Sequence, residues 1–64
     1  MFIYEIENIE IGRNFFKIEA NVNNSAVEFD FFQTPLDIII KTLDINGINF
    51  NDEEIQKEIS NYEF

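Results

Sequence analysis

The chain has 64 residues and no cysteine or histidine, which excludes a disulfide framework, a Cys/His zinc site and any Ser/His/Asp or Cys/His catalytic set. Four Lys and Arg stand against thirteen Asp and Glu, for a net charge of −9 at pH 7. That balance disfavours direct binding to nucleic acid, because phosphate contacts need cations.

A chain this short sits near the lower size limit for folding without a covalent or metal staple, so it reads as one domain, 1–64, built on apolar packing. Twelve Ile and eight Phe supply that core. No apolar run approaches the ~18 residues of a membrane span, and no export signal follows the initial Met, so no membrane role and a cytoplasmic location are expected. The abundance of Ile and Asn fits AT-rich codons, but the same drift would enrich Lys. The shortage of cations therefore needs another cause.

Residues 2–11 read as a first strand whose apolar parity changes midway. Phe2, Tyr4 and Ile6 share one face, and Ile9 and Ile11 share the other. An extra residue near Glu7-Asn8, a β-bulge, keeps both sets inward. The link Gly12-Arg13-Asn14 follows. A two-residue turn at Gly12-Arg13 would set Ile9 opposite Phe16 and, beyond the bulge, Ile6 opposite Ile18.

Residues 15–22 and 26–32 both alternate with period two. Phe16, Ile18, Ala20 and Val22 point one way in the first run, as do Val27, Phe29 and Phe31 in the second. Asn23-Asn24 suits a type I′ hairpin turn, since asparagine tolerates positive φ. That turn pairs Phe16 with Phe31, Ile18 with Phe29 and Ala20 with Val27. Outside, Lys17 meets Asp30 and Phe15 meets Phe32.

After the third strand the period lengthens. Thr34 is the expected cap of a helix starting at Pro35, with Leu36, Ile39, Ile40 and Leu43 as its apolar stripe and Asn46-Gly47 as its stop. Asn51 is expected to open a second helix with Asp52, Glu53 and Glu54 in its first turn, where the helix dipole favours acids. Phe50 and Ile55 would form its hydrophobic staple, and Ile59 and Tyr62 would continue the face. The expected fold is α+β: a three-stranded antiparallel meander followed by two helices on one face, β-β-β-α-α.

Chemistry is sparse. The only serines are Ser25 and Ser60, and two glycines cannot make a phosphate loop. Paired carboxylates would need a cleft, and a domain this small has little room for one, so no enzymatic activity, catalytic residue or cofactor is expected. Residues 44–54, DINGINFNDEE, have the flavour of a calcium loop. With Gly47 at the sixth loop position, however, the first ligand position falls on Thr42, although Glu53 lands at the twelfth. Two helix caps explain the stretch from Asp44 to Glu54 better, and no metal site is assigned.

The outer sheet face carries the sharpest feature. The expected register places Glu5, Glu19 and Glu28 in one row, with neighbours ~5 Å apart, a repulsive arrangement that should raise their affinity for protons. Glu7, Glu10 and Asp30 surround the row, Lys17 is its internal counter-charge, and Phe15 and Phe32 form an aromatic pair at the rim. Any open sheet has a wet side, and an acidic chain will place carboxylates there.

A second surface lies on the first helix, where Ile38 and Ile45 oppose the core stripe. Cover by the second helix is the economical expectation, with a homodimer seam as the alternative. Two functional readings follow. One is an inhibitor or decoy presenting its acidic face to a basic protein that normally holds nucleic acid, by analogy with small acidic proteins of phages and mobile elements. The other is an assembly module joined through Ile38 and Ile45.

Overall fold

The computed structural model describes residues 3–62, so Phe2, expected on the inner face of the first strand, lies outside the described residues. Three strands, β1 (Tyr4–Gly12), β2 (Phe15–Val22) and β3 (Ser25–Phe32), form an antiparallel sheet in the order β1-β2-β3. Two helices follow, α1 (Leu36–Ile45) and α2 (Glu53–Asn61). The architecture is the α+β meander that the sequence periods imply.

The β2–β3 hairpin has the expected register throughout. Phe16 pairs with Phe31, Ile18 with Phe29 and Ala20 with Val27, while Phe15 meets Phe32 and Lys17 meets Asp30. Its turn residues Asn23 and Asn24 have φ of 51° and 69°, the left-handed pair that a type I′ turn requires. The start of β1 is tied to the same turn. Ile3 donates its N–H to Asn23 Oδ1 at 3.1 Å, and Asn23 donates its own N–H to the Ile3 carbonyl at 2.7 Å.

The β1–β2 register differs from expectation by two residues. The bulge does fall between Ile6 and Asn8, but the turn is Arg13-Asn14, with Gly12 still paired to Phe15. Ile11 therefore faces Phe16, Ile9 faces Ile18 and Ile6 faces Ala20. A two-residue slip preserves inside and outside, so parity cannot reveal it. In the observed register Ile11, rather than Ile9, faces Phe16 across the strands.

Both helix starts lie one residue later than expected. Pro35 has an extended ψ of 146° and occupies the cap position with no side-chain cap, while the Thr34 hydroxyl donates to the Phe32 carbonyl at 3.2 Å. At α2 the cap is Asp52 rather than Asn51, and its carboxylate accepts the Glu54 N–H at 2.9 Å. The shift removes Phe50 and Ile55 from the staple positions, although both still pack in the core. Asp52 also accepts the Tyr4 hydroxyl at 2.8 Å, pinning the start of α2 to β1. Burial, then this carboxylate, raise the Tyr4 pKa above its ordinary value.

The stop of α1 is as expected, with a Schellman arrangement supplying the detail. Gly47 sits at φ 86°, the Ile48 N–H reaches the Leu43 carbonyl at 2.8 Å, and the Gly47 N–H reaches that of Asp44 at 3.0 Å. This geometry drives Ile48 fully inside. The core joins Phe16, Ile18, Ala20, Val22 and Phe31 of the sheet to Ile39, Leu43, Ile48 and Ile55. Both helices thus cover one sheet face, and β2, the central strand, alternates strictly between buried and half-buried positions.

Helix α1 is less covered than its pattern suggests. Ile39 and Leu43 are buried, but Leu36 is 58% exposed, and Ile40 is exposed as well. The second helix does not cover Ile38 or Ile45, which remain 47% and 68% exposed. Its own apolar face, Ile55 and Ile59, is committed to the sheet core instead.

Candidate functional site

The uncovered face of the sheet gathers the side chains of opposite parity. Four cross-strand rows can be read from the register. Gly12, Phe15 and Phe32 form the first, then Glu10, Lys17 and Asp30, then Asn8, Glu19 and Glu28, then Glu5, Asn21 and Ala26. Glu7, at the bulge, joins the last row through its Oε1, which accepts a hydrogen bond from the Asn21 amide. All six expected carboxylates (Glu5, Glu7, Glu10, Glu19, Glu28 and Asp30) therefore share this face with Lys17.

The expected row of three glutamates is not formed. Glu19 does face Glu28, but Asn8, not Glu5, stands on its other side, and Glu5 faces Asn21. The two-residue register shift is the cause. Its consequence is chemical, because an amide donor replaces a third like charge. Asn8 Nδ2 donates to Glu19 Oε1 at 3.1 Å and to Glu10 Oε2 at 3.3 Å. Asn8 and Asn21 thus orient three carboxylates without neutralising any of them. Sequence reasoning used Asn8 only as a bulge marker, and its role emerges only with the register.

Lys17 sits at the centre. Its Nζ lies 3.6 Å from Glu10 Oε2, 3.8 Å from Glu19 Oε1 and 3.8 Å from Glu28 Oε2. Glu28 foremost, with Glu19, Glu10 and Asp30, raises the lysine pKa against a smaller desolvation effect. Lys17 in turn pulls the Glu28 pKa down. Asp30, by charge and hydrogen bonding, together with desolvation and Glu19, outweighs it, so Glu28 ends above the ordinary carboxylate value. One cation is too little for this face. At its rim Phe32 is 69% exposed, while its partner Phe15 is half-buried.

The arrangement suits recognition by charge. Among the described residues no three His, Cys, Asp or Glu side chains are placed to hold a metal ion, and no helix is long and apolar enough to cross a membrane. Fold and face together define a small acidic α+β domain with one open, negatively charged sheet surface. The chain matches no family model, no curated protein and no solved structure.

Proposed function

We propose that this chain is a non-enzymatic binding protein that presents its acidic sheet face to a basic protein surface, as an inhibitor or decoy would for a site that normally holds nucleic acid. The observation that carries this reading is the placement of six carboxylates and one lysine on a face that neither helix covers, four of the acids grouped about the lysine. Two asparagines hold Glu7, Glu10 and Glu19 in place, so the negative surface is ordered before a partner arrives. Preorganised charge of one sign gives fast, salt-sensitive association. Phe32, exposed beside the charges, is suited to act as an aromatic anchor.

The test is capture of partners from a cell lysate at low and high salt. The variant Glu19→Gln/Glu28→Gln/Asp30→Asn is expected to lose a basic partner that the native chain retains at low salt. Its melting temperature should be unchanged or slightly higher, because Asp30 and Glu19 hold the Glu28 pKa above its ordinary value, so removing these charges relieves repulsion. Equal capture by the variant would remove this reading.

A second reading is favoured by the exposure of Ile38 and Ile45 on α1. Here the chain is an assembly module, joined through that surface to a second copy or a larger complex. In the same experiment Ile38→Glu would then abolish capture, and the triple variant would not.

A further inference from the structure

An open groove of about 840 Å³ lies where the β1–β2 turn and the segment joining β3 to α1 meet the helices. The volume is that of a small-molecule site, ~300–1,000 Å³. Phe16 and Phe31 have ring centroids 6.1 Å apart, and Phe50 lies 6.3 Å from Phe16. With Ile11, Ile39 and Ile59 these rings line the groove with carbon. The chain has thirteen acidic residues, yet none of the groove's described lining residues is acidic. Its one charged lining residue is Arg13, the only arginine in the sequence. Arg13 is exposed in the turn and makes no ion pair among the described residues.

We infer that this groove binds a fatty acid, its alkyl chain on the phenylalanine floor and its carboxylate at Arg13. The charge pattern selects the head group. A cation would find no acid in the lining, and an anion finds the one unpaired guanidinium, a fork suited to a carboxylate. The lining selects the body. An extended peptide brings backbone N–H and C=O groups that need partners. At this rim the Gln33 N–H and the Asn14 carbonyl already satisfy each other at 2.7 Å. An alkyl chain makes no such demand.

The experiment is titration of the full chain with octanoate, decanoate and decanol below their micellar or solubility limits, followed by calorimetry and by amide chemical shifts. Affinity is expected to rise about two- to fourfold per added methylene, the upper value corresponding to full burial. Decanoate should bind about tenfold more tightly than decanol. Arg13→Gln should erase that preference while leaving decanol binding intact, and Arg13→Lys, which keeps the charge but not the fork, should restore only part of it. Shifts should centre on Ile11, Phe16, Phe50 and Ile59. The inference is overturned if affinity ignores chain length, if Arg13→Gln leaves decanoate unaffected, or if the shifts fall on Ile38 and Ile45. It is equally overturned if an N-acetylated apolar peptide with a free carboxylate binds and decanoate does not.

Discussion

Replacing Ile18 with alanine is expected to destabilise the fold by about 2–5 kcal/mol, the range for truncating a buried Ile or Leu. Ile18 is fully buried at the centre of the middle strand, between Ile9 on one side and Phe29 on the other. A chain of this length holds only about 3–10 kcal/mol of stability in total, at ~0.05–0.15 kcal/mol per residue. A large share of that margin disappears, and a urea or thermal melt followed by circular dichroism should show a large fall in midpoint. Leu36→Ala is the control. Leu36 also belongs to an apolar stripe in sequence, that of a helix, but is more than half exposed, so its truncation should cost under about 1 kcal/mol. Similar losses at the two positions would contradict the packing described.

The second effect is the response to pH. Many proteins weaken on acidification because paired carboxylates lose their partners. Here the one carboxylate with a resolved shift runs the other way, since the Glu28 pKa is raised, while Lys17 and Tyr4 are raised at the alkaline end. A group raised in the folded state stabilises it fully below the unfolded value, and that contribution is lost as pH rises through the folded one. For Glu28 the window begins near its ordinary 4.5 and extends upward. For Lys17 and Tyr4 it lies above 10.5 and 10.0 respectively. The melting temperature should therefore rise as pH falls from 7 to 5, and drop above pH 10. The acid-side rise should shrink in 1 M salt, which screens exposed charges. A fall in melting temperature between pH 7 and 5 would contradict this account of the face.

Much of the fold is legible because period two and turn chemistry agree. Asn23-Asn24 sets the β2–β3 register without reference to anything distant, and Asn46-Gly47 marks the end of α1 in the same local way. The bulge at Glu7-Asn8 follows from a parity change that no straight strand could satisfy. What the sequence hides are choices between local solutions of similar quality. Gly12-Arg13 and Arg13-Asn14 both close the first hairpin and keep the isoleucines inward, and they differ in which β2 residue each β1 residue meets. Thr34 against Pro35, and Asn51 against Asp52, are similar one-residue contests. The second was decided by Asp52, which also accepts the Tyr4 hydroxyl from 48 residues away in sequence.

The same limit governs the candidate site. The acids on the outer face follow from parity, but their neighbours follow from register. Parity with a Gly12-Arg13 turn therefore places Glu5 in the row that Asn8 occupies, and nothing local marks the amide support of Glu19. Ile48 became a core residue through the chain reversal after Gly47, which no periodicity marks. The exposure of Ile38 and Ile45 depends on where α2 spends its apolar face, a tertiary choice without a local sign. The groove beside Arg13 forms where two chain segments distant in sequence meet.

We propose above that the acidic sheet face is the surface that meets a partner. Chemical-shift mapping of the isotope-labelled chain with its captured partner tests it most directly. Perturbations are expected to centre on Lys17, Glu19, Glu28, Asp30 and Phe32 and to fade as salt is raised. A salt-insensitive footprint on Ile38 and Ile45, with the sheet face undisturbed, would contradict it.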